Sequence, residues 1–360
     1  MLPAMNNAKA LLDTLEKTHS LTLEQYEQLI LGYSKEVAAY AAEKAVKARQ
    51  EVYGKDVFIR GLIEISNFCK NDCYYCGIRR SNKKCERYRL TKEDILSCAE
   101  QGYALGFRTF VMQGGEDARF TDDFLVDVIK ALKSLYPDCA ITLSLGERSF
   151  ESYKALRLAG ADRYLLRHET ADKEHYEKLH PNDMSFENRM ECLKNLKSLG
   201  FQVGVGFMVG SPWQTLKTLA KDLKFIETFA PAMCGIGPYL THKDTPFSDM
   251  PSGSMELTLY LLSIIRLIDP TLLLPATTAL GTIKEGGREL GILAGANVVM
   301  PNLSPLTVRK KYELYDNKIC TGDEAAESKA NLEKSMAAIG YKIVTARGDR
   351  GLSPDIKCRI

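Results

Sequence analysis

The chain has 360 residues, 45% of them hydrophobic, and a formal net charge of only +2. That is ample apolar material for a large buried core, and it gives no electrostatic case for nucleic acid or an anionic membrane as the main partner. No apolar run is long enough to cross a bilayer. The start, MLPAMNNAKALLDTLEK, lacks the basic stretch, apolar run and cleavage site of a signal peptide, so a cytoplasmic protein is expected. Ten cysteines in such a chain are not a disulfide framework. Three are clustered. The scattered seven (Cys85, Cys98, Cys139, Cys192, Cys234, Cys320 and Cys358) read as small buried hydrophobes.

Residues 1–52 read as a helical cap. "SLTLEQYEQLILGY" carries only an approximate capping signal at Ser20 and Glu24, and the periodic stretch after it stops at Gly54. From residue 53 the pattern changes. Short apolar runs ("VFIRGLIEIS", "TFVMQGG", "AITLSLGE", "RYLLRHET", "VGVGFMVG", "MCGIGPYL", "LLLPATTA" and "ANVVMPN") alternate with amphipathic helical stretches. Such alternation predicts parallel strands joined by crossover helices. Eight runs give an α/β fold, a (β/α)₈ TIM-type barrel over 53–302, with a C-terminal extension over 303–360 that closes or packs on it. The alternative is a six-strand incomplete barrel, the last two runs belonging to a separate cap. In barrels of this type the chemistry sits at the C-terminal ends of the strands.

The strongest motif, "ISNFCKNDCYYCGIRR", lies directly after the first run and spaces Cys69, Cys73 and Cys76 as C-x₃-C-x₂-C. Three thiolates on one loop suit three irons of a 4Fe–4S cubane and leave the fourth iron to another ligand. Zinc would need a fourth Cys or His, for which Cys85 is the nearest candidate and no His is nearby. Tyr75, just before Cys76, suits packing on a base; plain core packing of Tyr74 or Tyr75 is the alternative.

Further along, Gly114 and Gly115 let backbone approach a ligand closely, though a Gly-Gly pair also makes a simple turn. Side chains alternate along a strand, so Arg163, Leu165, Arg167 and Glu169 share a face. Two arginines unpaired in an apolar core cost several kcal/mol. Either that face lines a wet, anion-binding cavity, or it turns outward and the arginines reach solvent. Gly204 and Gly206 widen the interior at the fifth run. Thr277 and Thr278 end the seventh run, and Met300, Pro301 and Asn302 the eighth. Cys139 and Cys234 start their strands, the wrong end for a second cluster in the barrel. His168 and His242 are possible polar contacts.

The cysteine loop and barrel pattern resemble the radical S-adenosylmethionine (SAM) superfamily over roughly 53–302. In order along the chain, "MQGGED", "ITLSLGER", "ADRYLLRHETA", "SFENR", "GIGPYLTHKDTP", "LPATTALGTIKEGGRE" and "GANVVMPNLSP" are similar to the HydE family of FeFe-hydrogenase maturases. The resemblance implies a 4Fe–4S cluster on the three cysteines and SAM on its open iron. It implies adenine packing at Tyr75, and SAM contacts at Gly114, Gly115, Glu116 and Ser144. Glu169 would take the ribose hydroxyls and Arg189 the SAM carboxylate, while Arg163, Arg167, Thr277 and Thr278 form a substrate or anion site. One electron from a donor such as ferredoxin or flavodoxin would cleave SAM to methionine and a 5′-deoxyadenosyl radical. That radical would attack a small iron complex bearing cysteine, carbon monoxide and cyanide, with sister maturases as partners. An organic substrate, as in the methylornithine synthase and biotin synthase branches, is the first rival; a non-catalytic iron–sulfur scaffold is the second. Some relatives carry an accessory cluster on three further cysteines. Here Cys320 matches the first, but the other two positions fall at about Ser328 and Asn331, so no accessory cluster is expected.

Overall fold

The computed structural model describes residues 2–319 and 325–351. Three helices come first: α1 (Leu2–Thr18), α2 (Leu23–Leu31) and α3 (Lys35–Tyr53). The cap of α2 falls at Thr22, not Ser20. Its hydroxyl accepts from the Gln25 backbone while the Gln25 side chain returns to the Thr22 N–H, which satisfies two orphan donors at once. Ser34 caps α3, and Gly54, with φ +55, ends it where the sequence predicts.

The strands are β1 (Asp56–Ile59), β2 (Gly61–Ser66), β3 (Thr109–Gly114), β4 (Ala140–Ser144), β5 (Arg163–Leu165), β6 (Gln202–Val205), β7 (Met208–Val209), β8 (Met233–Cys234), β9 (Gly237–Pro238), β10 (Val298–Val299) and β11 (Lys342–Val344). The helices between and after them are α4 (Lys92–Ala104), α5 (Asp122–Leu135), α6 (Phe150–Ala159), α7 (Lys173–Leu179), α8 (Phe186–Ser198), α9 (Leu216–Phe229), α10 (Met255–Ile268), α11 (Thr278–Ile283), α12 (Gly287–Leu293), α13 (Leu306–Arg309) and α14 (Ala325–Ala338).

Six strands form one parallel ladder in the order β2-β3-β4-β5-β6-β8. Single parallel bridges carry it onward from Met233 to Leu273 and from Pro275 to Val298. β10 then pairs with β1, and Leu62 of β2 bridges Asn302. The ring therefore closes with the last two apolar runs inside it, as the eight-run reading expects and the six-strand alternative does not. Those two runs are held by one or two residues each. Alternation divides the core: Ile63, Ile65, Phe110, Met112, Ile141 and Leu143 are fully buried under the helices, while Arg60, Leu62, Glu64, Val111, Gln113 and Thr142 occupy the opposite face.

At the starts of the strands the barrel is floored by the cap and the C-terminal segment. Arg49 of α3 donates to the carbonyls of Ala296, Gly54 and Asp56. β11 pairs with β1 in parallel, and Thr109 Oγ1 donates to the Arg347 carbonyl just beyond it.

Candidate functional site

The cysteine loop is bound down at the opposite end, where the strands finish. Asn67 accepts the Tyr88 N–H and donates to the Glu86 and Lys311 carbonyls. Arg87 binds four loop carbonyls, those of Asn67, Ile78, Arg79 and Asn82. Asp72 holds Arg79 and Ser81, and these bonds keep its carboxyl well below the usual range despite burial. Neighbouring loops are stitched in by backbone bonds from Lys70 to the Glu116 carbonyl and from Tyr74 to the Leu179 carbonyl. At Gly115 a Cβ would land on the Phe68 carbonyl and crowd Cys69, so this crossing requires glycine.

Burial raises the pKa of all three thiols. Coulombic repulsion adds to it at Cys73 and Cys76, where Cys76 is pushed up to about 12. Thiols that repel one another as thiolates form a donor set that bound iron would relieve. Among the described residues no three His, Cys, Asp or Glu side chains converge on one metal ion. A cubane asks for something else, one thiolate at each of three separate corners, so the chemistry of the donor set fits it.

Tyr75, Glu169 and Arg189 lie within electrostatic reach of Cys73. Tyr75 is positioned by His180. The His180 Nδ1 lies 2.9 Å from the Tyr176 carbonyl, which leaves Nε2 to accept the Tyr75 hydroxyl at 3.2 Å. Burial and the charge of Arg189 push His180 down to about 3, so the imidazole is neutral.

Glu169 has φ +62, a left-handed conformation for a non-glycine residue. It lies beyond β5, which ends at Leu165, so strand alternation does not set its direction. Its backbone N–H donates to the Gly206 carbonyl, and the residue before it is anchored twice. His168 accepts the Gly206 N–H and faces Asp222 at 3.4 Å, with Asp222 also accepting the Ala171 N–H. Arg167 approaches Glu169 Oε2 at 3.3 Å. The contact is an ion pair without hydrogen-bond geometry, and Glu169 Oε2 and Arg167 Nε and Nη2 make no hydrogen bond.

Arg189, buried at the start of α8, is already engaged. Nε contacts Glu147 at 2.5 Å and Nη1 the Arg167 carbonyl at 2.6 Å. Glu147 went unnoticed in the sequence, although it sits inside "ITLSLGER". Glu116 accepts the Glu147 N–H and pairs with Lys70 at 3.1 Å. Ser144 ends β4 opposite Gln113. Cys320 lies outside the described residues.

Of the four residues expected to form an anion site, Arg163 is set apart from the strand ends. Arg163 starts β5, at the floor. Its guanidinium bonds Thr109, Gln202 and the Arg347 and Gly348 carbonyls, and pairs with Asp349 at 2.6 Å. The charge that seemed to need an anion is met by the chain's own C-terminal segment. Arg167 lies higher, toward the strand ends, near Tyr315. Thr277 Oγ1 is buried without a partner, and Thr278 lines a small cavity with Arg288, Met300, Asn302 and Lys318.

Arg60, between β1 and β2, is an interior group the sequence reading passed over. It is fully buried, with Nη1 against the Met233 sulfur and Nε and Nη2 without partners; Thr142 Oγ1 is orphaned too. An arginine inside the apolar run "VFIRGLIEIS" carries the same signal that drew attention to Arg163. Glu64, deeper than any exposed acid, is held by Asn302 and Lys318.

A closed parallel barrel whose strand-end loop presents three thiols beside Tyr75, Glu169 and Arg189 fits a class: enzymes that mount an iron–sulfur cluster over an interior reaction chamber. The Radical SAM superfamily model matches residues 63–226. The FeFe hydrogenase maturase subunit HydE of Thermotoga maritima is 44% identical over 298 residues, 83% of this chain and 85% of that protein. A 3-methylornithine synthase of Methanosarcina barkeri is 28% identical over 330 residues, 90% of this chain and 92% of that one. The crystal structure of methylornithine synthase PylB matches with a TM-score of 0.82 at 27% identity, over 93% of this chain and 97% of that one. The chain belongs to the radical SAM superfamily and, within it, to the family of the maturase subunit HydE. That family membership makes it a radical SAM enzyme and implies a 4Fe–4S cluster and SAM. No helix of the described residues is long and apolar enough to cross a membrane.

Proposed function

We propose that this enzyme acts in FeFe-hydrogenase maturation, on a small anionic iron complex carrying cysteine, carbon monoxide and cyanide. The observation that carries the reading is a pair of residues with buried polar atoms that make no hydrogen bond, Arg167 (Nε and Nη2) and Thr277 (Oγ1). Buried guanidinium N–H groups that make no hydrogen bond are costly even beside a carboxylate such as Glu169, and a bound anion would satisfy them. With the cluster bound, one electron breaks the bond between the SAM sulfonium and the ribose 5′ carbon.

The chain's own residues do the rest. Cys69, Cys73 and Cys76 would hold the cluster, and Gly114, Gly115 and Glu116 the amino end of SAM. Arg189, oriented by Glu147, would meet the carboxylate, and Glu169 the ribose hydroxyls. Tyr75, fixed by neutral His180, would pack on adenine, with Ser144 beside it. Arg167, Thr277 and Thr278 would hold the substrate anion, and the closed barrel would keep water from the radical. Arg163 has no part in this set.

The test measures two activities on one preparation. Arg167→Leu should keep SAM cleavage within about threefold of wild type and lose at least tenfold in maturation of apo-hydrogenase, the loss of a charge-assisted contact. Full maturation by that variant would remove Arg167 from the substrate site. Normal SAM cleavage by the wild type with no maturation at all would favour an organic substrate.

A further inference from the structure

Residues 179–185, from the end of α7 to the cap of α8, cross the cysteine loop and are fastened to it at successive points. The Tyr74 N–H donates to the Leu179 carbonyl at 3.1 Å. The Tyr75 hydroxyl meets His180 Nε2 at 3.2 Å. Arg80 pairs with Asp183 at 3.9 Å. The Cys73 sulfur lies 3.6 Å from the Met184 sulfur. Asn182, Asp183 and Ser185 are exposed, whereas Met184, between them, is buried. Its N–H closes the turn on the Pro181 carbonyl at 2.9 Å. The segment thus turns polar side chains outward and presses a single apolar one onto a ligand sulfur.

The three cysteines differ in what surrounds their sulfurs. Backbone N–H groups at Asn71 and Glu116 favour the Cys69 thiolate, and the one at Ile78 favours that of Cys76. At Cys73 burial dominates, followed by the neighbouring charges. Its contact is a thioether, which accepts weakly and has no proton to give. As an iron ligand Cys73 has lost its own proton, so the contact becomes sulfur against sulfur with no hydrogen bond. A donor or a water beside a ligand sulfur stabilises the extra negative charge of a reduced cluster and raises its potential; an apolar neighbour does the reverse.

We propose that Met184 keeps water and hydrogen-bond donors off the Cys73 sulfur and so holds the cluster at a low reduction potential. The inference rests on the radical SAM reading, since a cluster that gives an electron to a sulfonium has to be a strong reductant. Met184 acts through Cys73 and is a positioning residue. The bonds at Leu179 and His180 hold the segment in place, and the short turn from Pro181 delivers the thioether to the sulfur.

The experiment is a redox titration of the reconstituted full-length enzyme without SAM, followed by electron paramagnetic resonance, with iron counted on each sample. Met184→Gln keeps the length of the side chain and introduces an amide donor. Met184→Leu keeps the apolar cover without the sulfur, and Met184→Ala opens the cover to water. At the wild-type midpoint potential, the ratio of reduced to oxidised cluster should rise at least about threefold in the glutamine and alanine variants. In Met184→Leu it should stay within about 1.5-fold of wild type. An unchanged ratio in Met184→Gln or, should that variant fail to load iron, in Met184→Ala overturns the proposal. So does a shift in Met184→Leu as large as in Met184→Gln, which would assign the effect to the sulfur itself. Loss of iron from all three variants also overturns it, because Met184 would then be a support of the loop. A wild type that holds no cubane would overturn the radical reading, and the role of Met184 with it.

Discussion

Arg163 and Arg167 stand four residues apart and do different work. β5 ends at Leu165, but four residues of extended chain can span up to about 13 Å, enough to place one arginine at the floor and the other below the cluster loop. Arg163 is fully buried and satisfied by four backbone or side-chain neighbours and Asp349, whereas two Arg167 nitrogens make no hydrogen bond. We predict that Arg163→Leu leaves SAM cleavage unchanged and lowers unfolding stability by about 2–4 kcal/mol. Breaking a buried pair costs about 3–5 kcal/mol, and the figure is discounted because the Asp349 side chain is 44% exposed. Denaturant titration of the apoprotein checks the stability and 5′-deoxyadenosine release the activity. Lost maturation with unchanged stability would return Arg163 to the substrate site. Strand alternation reveals a shared face and says nothing of height along the axis. Asp349 lies far away in sequence, so its pairing with Arg163 was not legible there.

At the scale of elements, the junction between β3 and the cysteine loop sets the tightest local demand. A Cβ on Gly115 meets the Phe68 backbone, which cannot swing aside, whereas a Cβ on Gly114 lies 3.2 Å from the Ser66 carbonyl, a contact that small adjustments relieve. Gly115→Ala should therefore cut iron incorporation at least about threefold on reconstitution, with Gly114→Ala close to wild type. Equal iron content in the two variants would mean that the loop is not pinned there. The spacing of the cysteines, the stop at Gly54 and the eight apolar runs were all legible because each is set by local chemistry. The end of β5 was not. "RYLLRHET" continues as an apolar run past Leu165, but His168 and Asp222, from α9, anchor the chain while Glu169 turns left-handed. That partnership is tertiary and leaves no periodic trace.

At the scale of the whole molecule, the barrel separates two jobs. Its floor is sealed by α3, β11 and the Arg163–Asp349 pair. Its upper end gathers the thiols, Glu169, Arg189 and Tyr75 over the polar interior. That division fits a reaction in which a radical made at the top must be spent below it without meeting water. The most direct test is 5′-deoxyadenosine release from anaerobically reconstituted protein given dithionite and SAM, with iron counted on the same sample. We predict about four irons per chain, SAM-dependent release of 5′-deoxyadenosine, and loss of both in Cys69→Ala, Cys73→Ala and Cys76→Ala. Stoichiometric zinc with no charge-transfer absorption, and no 5′-deoxyadenosine from the wild type, would contradict it.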